Sequence, residues 1–242
     1  ENSFKQLEQD SQTKYGIPSL IVLDGVTGEV IFAKNENIGL APASTLKTIV
    51  ASTAYHVLGK DYTYNTYLKY NGVITAEGVL NGDLIIEGNG DPSLGSWRYA
   101  GTKEQLVLQK FVSALQAKGI KSINGRVIGN NGSYPTQSTP EKWIWQDMGN
   151  YYGAAATGLN WRENQFDIEL SPGPRTGSVV KILRTVPNMS YLNITNELIT
   201  GASGTGDNAY AYFAPYYREG YLRGTWGLGI AKKSISASLP DP

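Results

Sequence analysis

Hydrophobic and polar positions in the first sixty residues predict a β-hairpin followed by one helix. Residues 19–35, SLIVLDGVTGEVIFAKN, hold two apolar runs on either side of a glycine-containing turn at 24–28. Residues 44–59, STLKTIVASTAYHVLG, carry apolar side chains along most of their length. Pro42 precedes this run and Gly59 follows it, as at the start and the end of a helix.

A second helix is predicted over residues 102–119, TKEQLVLQKFVSALQAKG. Thr102 and Gln105 have the spacing of a capping box, and Gly119 is suited to ending the helix. An apolar stripe is expected to face the core of the protein, formed by Leu106, Leu108, Phe111, Val112 and Leu115.

The remainder of the chain reads mainly as short strands. Residues 62–70 and 82–88 suit strands between the two helices. Beyond residue 120, short apolar runs alternate with Gly, Pro and Asn turns, in the segments GRVIGN, FDIELS, SVVKILRTV and YLNITNELIT. The order of two strands, a helix, strands, a second helix and then mostly strands predicts an α+β fold rather than a regular βαβ array.

Composition removes several classes of function. The 242 residues are 40% hydrophobic and 17% charged, and 21 acidic residues balance 21 basic ones. Without a basic run, nucleic acid is not an expected partner. No apolar stretch approaches the ~20 residues of a transmembrane helix, so no transmembrane segment is expected. Cysteine is absent and His56 is the single histidine, which excludes a cysteine-ligated or multi-histidine metal site.

Ser44 and Lys47 stand three residues apart where the first helix begins. Side chains at this spacing share a helix face with Cβ atoms about 5–6 Å apart, so the hydroxyl and the amine can form a hydrogen bond. A serine needs a base to act as a nucleophile, and Lys47 can take its proton when the amine is uncharged. The helix N-terminus, with about half a positive charge, would stabilise the alkoxide.

The Ser-x-x-Lys pair also has a structural interpretation. Ser44 can be a helix cap and Lys47 a solvated side chain of the first turn, and the tetrapeptide occurs often by chance. His56 lies twelve residues beyond Ser44, roughly 18 Å along a continuous helix, and therefore cannot be its base. The four residues alone leave the catalytic and the structural interpretation open.

Longer motifs around the pair are more specific. LAPASTLKTIVASTAYHVLG (40–59) is followed by GDLIIEGNGDPSL (82–94), then by GIKSINGRVIGNNGSY, WIWQDMGNYYGAAATGLNWRENQFDIEL and the final KSISASLPDP. These segments resemble, in order, the penicillin-binding proteins of the PBP4 type, which are D-alanyl-D-alanine carboxypeptidase/endopeptidases of peptidase family S13. The combination of P-A-S-T-x-K with G-D-L-x-x-x-G-x-G-D-P-x-L carries the resemblance, which covers essentially the whole chain.

The resemblance implies a serine acyl-enzyme mechanism without a metal or organic cofactor. Ser44 would attack the carbonyl between two D-alanines of a peptidoglycan stem peptide, or a peptide cross-link, and water would then release the acyl group. Lys47 would be the base, and the Ser44 backbone N–H would be one oxyanion-hole donor. β-Lactams would acylate the same serine. The chain begins at Glu1, and we expect a bacterial protein of the periplasm or another extracytoplasmic space, after removal of a leader peptide.

The same resemblance implies how the chain is organised. Residues 1–67 would form the N-terminal part of a β-lactamase/transpeptidase-like catalytic domain. Residues 68–229 would be a large, mostly-β insertion of two small subdomains, and residues 230–242 would begin the return to the catalytic domain. Simple β-lactamases lack such an insertion.

Two further motifs of the family, Ser-x-Asn and Lys-Thr-Gly, have no match at the expected place. The tripeptide Ser-Ile-Asn at 122–124 lies at a predicted helix-to-strand junction. Arg-Thr-Gly at 175–177 lies in a predicted turn, so neither is interpreted as catalytic. The true motifs would follow the insertion, and we expect the 242 residues alone to show no turnover.

Other features have two interpretations each. Asp91–Pro92 is interpreted as a turn rather than as part of a substrate pocket. For the aromatic group Trp143, Trp145, Tyr151 and Tyr152, and for the tyrosine-rich run 210–221, packing in a core or at a domain interface is favoured over stacking on sugar rings. Two alternatives to a carboxypeptidase remain: a non-catalytic peptidoglycan-binding scaffold, and another serine–lysine acyl hydrolase such as a β-lactamase or esterase.

Overall fold

The computed structural model describes residues 1–132 and 134–241, which fall into two units, Glu1–Tyr62 and Thr63–Pro242. Unit 1 contains an antiparallel hairpin between two helices, as the sequence predicts for the hairpin and the second of these helices. Its side chains include Phe4, which is buried and meets Phe32 edge-on with ring centroids 5.6 Å apart. The elements of unit 1 are α1 (Asn2–Gln9), β1 (Leu20–Leu23), β2 (Val30–Lys34) and α2 (Leu46–Leu58).

The hairpin turn has a local cause in its sequence. The Asp24 carboxylate accepts hydrogen bonds from the backbone N–H groups of Thr27, at 2.7 Å, and Val26, at 2.9 Å. These bonds favour the ionised form and lower the pKa of Asp24 below its usual value. Gly28 closes the turn at φ 76°, a left-handed conformation that costs glycine little because it has no Cβ.

The first half of unit 2 holds two three-stranded sheets and a helix. One sheet has the order β3 (Thr66–Tyr70), β6 (Leu84–Gly88), β8 (Val127–Asn130). The other has the order β4 (Val73–Ile74), β5 (Val79–Asn81), β7 (Ser122–Asn124). In each, the last strand runs parallel to its neighbour, β8 to β6 and β7 to β5, which requires a crossover connection, and a helix supplies it. This helix is α3 (Glu104–Ala117).

Helix α3 forms where the sequence predicts it, but two details of the prediction are wrong. Only Val107 of the helix is buried, whereas Leu106, Leu108 and Val112 of the expected stripe are 42–51% exposed. Four of the five stripe residues share one face within an arc of about 100°, so the exposure of Leu108 and Val112 shows that little packs against that face, while Leu106 lies on the opposite side. The expected capping box is absent because the Thr102 hydroxyl donates to the carbonyl oxygens of Ser96 and Tyr99 and caps no helical N–H.

The second half of unit 2 is built almost entirely from strands. One sheet has the order β10 (Lys181–Val186), β9 (Gln165–Ser171), β15 (Ser234–Ser238). In the second sheet, β13 (Asp207–Phe213) pairs with one edge of β14 (Glu219–Gly227). Strands β11 (Asn193–Asn196) and β12 (Ile199–Gly201) pair with successive parts of the other edge of β14. A short helix, α4 (Trp145–Met148), precedes these strands in the chain.

The main hydrophobic core of unit 2 lies among these strands. Along β9, Phe166, Ile168 and Leu170 are buried and alternate with half-buried polar residues, the period of a strand with one face on the core. The remaining core side chains come from the facing strands and loops, and include Val180, Leu198, Phe213, Leu222 and Trp226. The strands of this half therefore share one hydrophobic core.

Buried Arg162 connects the two halves of unit 2. Its guanidinium donates to the Glu104 carboxylate of α3 and to the carbonyl oxygen of Val186, at 3.5 Å, and lies 3.6 Å from the Asp167 carboxylate of β9. The contacts tie the helix of the first half to the strands of the second. Across the described residues, no helix combines the length and the apolar character that crossing a bilayer demands.

Candidate active site

Ser44 and Lys47 are brought together at the start of α2. Ser44 belongs to a single 3₁₀ turn, Ala43–Thr45, and Lys47 is the second residue of the helix that follows directly. The Lys47 ammonium donates a hydrogen bond to the Ser44 hydroxyl oxygen at 3.2 Å. The predicted contact is thus present in the folded chain, and it arises from local backbone geometry alone.

The backbone around Ser44 differs from an ordinary helix start. Ala43 has φ 44°, a left-handed conformation that costs a non-glycine residue about 1–3 kcal/mol. Thr45, rather than Ser44, is the N-cap residue of α2, and its hydroxyl donates to the Pro42 carbonyl oxygen instead of accepting from a helical N–H. The structural interpretation of Ser44 as a helix cap is therefore wrong, and its hydroxyl remains available to Lys47.

The charge of the Lys47 amine decides which of the two side chains donates the proton in their hydrogen bond. With a charged amine, Lys47 donates to the hydroxyl, as in the structure; with an uncharged amine, the same contact lets the hydroxyl donate its proton to nitrogen. Both side chains are exposed, and none of the residues of α2, all of them described, is buried. His56 lies on the same helix, in its last turn, about 14 Å along the axis from Lys47.

The three motif-like segments of unit 2 have structural roles. The Ser-Ile-Asn tripeptide is strand β7, whose Asn124 amide donates to the Asn81 side chain at 2.8 Å. Arg-Thr-Gly lies in the turn between β9 and β10, with Gly177 at φ 83°. Asp91 forms the predicted turn, because its carboxylate accepts from the backbone N–H of Ser93 at 2.8 Å and from the Ser93 hydroxyl at 2.6 Å.

The aromatic group of residues 143–152 is not part of the core. Exposed fractions are 37% for Trp143, 42% for Trp145, 53% for Tyr151 and 51% for Tyr152, so the expectation of core packing is wrong for all four, and packing at a domain interface stays a prediction. Trp145 meets Tyr212 with ring centroids 6.0 Å apart, and Tyr151 meets Tyr152 edge-on at 5.3 Å. The core is filled instead by strand residues of β9, β13 and β14, which leaves these rings at the surface.

Sequence reasoning missed a polar cluster in unit 2. The Glu163 carboxylate accepts from the Ser96 hydroxyl and from the Arg98 guanidinium, both at 2.7 Å. Burial opposes ionisation of Glu163, but the two hydrogen bonds and the Arg98 charge outweigh it and lower the pKa of the carboxyl. The asparagines of the segment GLNWREN were the available signal, because asparagine tolerates left-handed backbone conformations.

Comparison with known proteins gives a consistent picture. A model of the D-Ala-D-Ala carboxypeptidase 3 (S13) family matches residues 4–215. The D-alanyl-D-alanine carboxypeptidase of Actinomadura sp. is 23% identical over 203 residues, which are 82% of this chain and 36% of that protein. The D-alanyl-D-alanine carboxypeptidase DacB of Haemophilus influenzae is 30% identical over 154 residues, 64% of this chain and 30% of that protein.

Solved structures extend the likeness to the fold. The crystal structure of penicillin binding protein 4 (dacB) from Haemophilus influenzae matches 95% of this chain and 49% of that chain, with a TM-score of 0.69 and 23% identity. The same protein complexed with a β-lactam gives a TM-score of 0.60 at 22% identity, over 93% of this chain and 46% of that chain. The predicted α+β fold class is confirmed. This chain spans about a third of the length of the curated relatives and about half of the solved chains.

Proposed function

This chain belongs to the D-Ala-D-Ala carboxypeptidase 3 (S13) family, and on that premise we propose that it carries the nucleophile and the base of a serine D-Ala-D-Ala carboxypeptidase/endopeptidase. Ser44 is the nucleophile and Lys47 the base. The observation that carries the proposal is the 3.2 Å hydrogen bond between the Lys47 amine and the Ser44 hydroxyl. The family match supports this reaction over a non-catalytic scaffold or another acyl hydrolase.

In the proposed reaction, the Ser44 oxygen attacks the carbonyl carbon of the peptide bond between two D-alanines while its proton passes to an uncharged Lys47 amine. The tetrahedral oxyanion is stabilised by backbone N–H groups, one of them that of Ser44. Lys47 then protonates the leaving amine, and an ester remains on Ser44. A water molecule, deprotonated by the same amine, hydrolyses the ester and restores the serine.

We propose a peptidoglycan stem peptide or cross-link as the substrate and β-lactams as covalent inhibitors. A β-lactam amide would open on attack by Ser44 and leave an acyl-enzyme. The complex of the Haemophilus influenzae protein with a β-lactam supports the inhibitor class. We also propose action in the periplasm, or otherwise outside the cytoplasm, after removal of a leader peptide, because peptidoglycan lies there.

We further propose that residues 1–67 are the N-terminal part of the catalytic domain and residues 68–229 a mostly-β insertion, with residues 230–242 beginning the return. The division of the chain after Tyr62 supports a boundary in this region. Within residues 230–242, strand β15, Ser234–Ser238, pairs with β9, so this start of the return still belongs to a sheet of unit 2.

The test is covalent labelling with a fluorescent penicillin. The native protein that contains this chain is incubated with the probe, and the labelled peptide is located by mass spectrometry. We expect the adduct on Ser44, its loss in Ser44→Ala, and slower labelling in Lys47→Ala. Ser52→Ala is the matched control, because Ser52 is an exposed serine of the same helix.

The possible outcomes separate the candidate functions. Label on Ser44 together with release of D-alanine from a stem peptide supports the proposal. Absence of label on the folded native protein favours a scaffold and contradicts the proposal. Rapid hydrolysis of the penicillin without lasting label favours a β-lactamase and likewise contradicts it.

A further inference from the structure

A cavity of about 400 Å³ is lined entirely by residues of unit 2. Cavities that hold small ligands have volumes of about 300–1,000 Å³, so this one has room for a molecule the size of a dipeptide. Its wall is largely apolar, formed by Pro92, Tyr99, Tyr134 and the run Ala154–Ala155–Ala156. Short apolar groups can therefore be buried against it.

One wall of the cavity carries a pair of opposite charges. Glu163 and Arg98 both line it, and the Arg98 Nε donates to the Glu163 Oε1 at 2.7 Å. Within residues 1–132 and 134–241, no hydrogen bond is made by the Glu163 Oε2 or by the two Nη groups of Arg98. One carboxylate oxygen and one guanidinium edge thus keep unused hydrogen-bonding capacity beside the cavity.

The position of Glu163 is imposed by an unusual backbone. Arg162, Glu163 and Asn164 have φ values of 55°, 57° and 53°, three consecutive non-glycine residues in the left-handed region. Arg162 and Glu163 each cost about 1–3 kcal/mol in this conformation and asparagine costs less, and strain of this kind concentrates at binding and catalytic sites. The turn directs a carboxylate with a 17% exposed side chain to the cavity wall.

A buried polar network holds this turn. Asn164 is 1% exposed, and its amide donates to the Ala155 carbonyl at 2.8 Å and to the Asn160 side chain at 2.7 Å. The Asn160 amide in turn donates to the backbone carbonyl of Asp91 at 3.1 Å, in the turn that borders the cavity. The network therefore holds this part of the cavity wall in place before any ligand arrives, which lowers the entropic cost of binding.

We propose that this cavity binds a small zwitterion, an amino acid or a dipeptide with free amino and carboxyl termini. The ammonium group would donate to the free Glu163 oxygen and the carboxylate would accept from the Arg98 guanidinium, two charge-assisted hydrogen bonds of opposite sense. The side chains would lie against the alanines and Pro92. A ligand with one charge could make only one of these two hydrogen bonds, and a neutral ligand neither.

The proposal uses residues of unit 2 alone and does not rest on chemistry at Ser44. The test is calorimetric titration of the 242-residue chain with D-alanyl-D-alanine, L-alanyl-L-alanine and the N-acetylated amide of the former, which has no charge. We expect the two zwitterions to bind and the neutral analogue to bind at least tenfold more weakly. Ser44→Ala should bind the zwitterions as the unaltered chain does.

Two variants test the residues, and a second ion pair supplies the control. Glu163→Gln keeps an acceptor for Ser96 and removes the charge, and Arg98→Met alters a side chain that is 57% exposed. Each is expected to weaken binding at least tenfold. Glu169→Gln removes the same kind of charge from the Arg184–Glu169 pair, whose atoms are 2.6 Å apart on β10 and β9, and should leave binding unchanged.

Circular dichroism of each variant shows whether its fold is retained. If Glu163→Gln loses its fold, Arg98→Met still tests the proposal, because the Arg98 side chain is exposed and its replacement is not expected to unfold the protein. Absence of binding at millimolar zwitterion, equal binding of the neutral analogue, or unchanged binding by folded Arg98→Met would overturn the proposal. Loss of binding in Ser44→Ala would also overturn it, since the ligand would then occupy the proposed active site.

Discussion

Replacing Asn164 by aspartate should destabilise unit 2 strongly although the side chain keeps its size. The Asn164 amide nitrogen donates to the Ala155 carbonyl and to the Asn160 side-chain oxygen at 2.8 and 2.7 Å, at a site 1% exposed. In Asn164→Asp an oxygen would face those two acceptors. Each buried group left without its partner costs about 1–3 kcal/mol, so we expect a loss of about 3–5 kcal/mol in the free energy of unfolding at neutral pH.

Urea unfolding followed by circular dichroism measures this loss. The carboxyl introduced by Asn164→Asp is more easily protonated in the folded state, because one of its oxygens would face two acceptors where the amide nitrogen now donates. The deficit should therefore shrink as the pH falls toward about 4, where a protonated carboxyl regains one donor. Asn208→Asp is the control: its amide donates to the Thr205 carbonyl at 2.9 Å in an exposed position, and a change within about 0.5 kcal/mol is expected.

A deficit below about 1 kcal/mol in Asn164→Asp, or one no larger than in Asn208→Asp, would refute the reasoning, because the buried network would then contribute little to the fold. A deficit that grows as the pH falls would refute the assignment of the amide as a donor. Either result would also remove the support for a rigid turn at Glu163.

Three further predictions concern other parts of the chain. Lys47→Met should slow acylation by a penicillin about 10²–10⁴-fold through loss of the base, whereas Lys34→Met should not; stopped-time labelling measures both rates. Phe166→Ala should lower the free energy of unfolding by about 3–5 kcal/mol in a urea titration, because the ring is fully buried. Hydrogen bonds from Arg126 lower the pKa of Asp83 to about 2, so the ionised carboxylate stabilises the fold above pH 3.8, and this stability is lost as the pH falls toward 2. In Arg126→Met, NMR titration should show the pKa of Asp83 returning toward 3.8.

Several elements followed from the sequence because their causes are local. The hairpin of β1 and β2 depends on apolar runs and on a turn that Asp24 and Gly28 shape within a few residues. Helix α2 and the contact between Ser44 and Lys47 depend on a spacing of three residues, which the helical repeat converts into proximity. The family resemblance was likewise carried by contiguous motifs, and the family match confirms it.

Burial was predicted less well, because it depends on what packs against each surface. Most apolar residues of the expected α3 stripe share one face, but only tertiary packing decides what covers a face, and the buried residue is Val107. Trp143 and Tyr151 are large aromatic residues of a kind often found in cores. In unit 2, however, strand residues fill the core and both rings are exposed. Apolar character states what a side chain can bury, and the neighbours decide whether it does.

Only the tertiary structure decided the polar cluster beside the cavity. Ser96 and Glu163 are 67 residues apart in the chain, and no periodicity or short motif links them. Their contact depends on the left-handed turn at Glu163, which the Asn164 network imposes through atoms of separate segments. The sequence by itself determined the contact between Ser44 and Lys47, because backbone geometry over three residues fixes it, whereas long-range hydrogen bonds and packing determined the cavity.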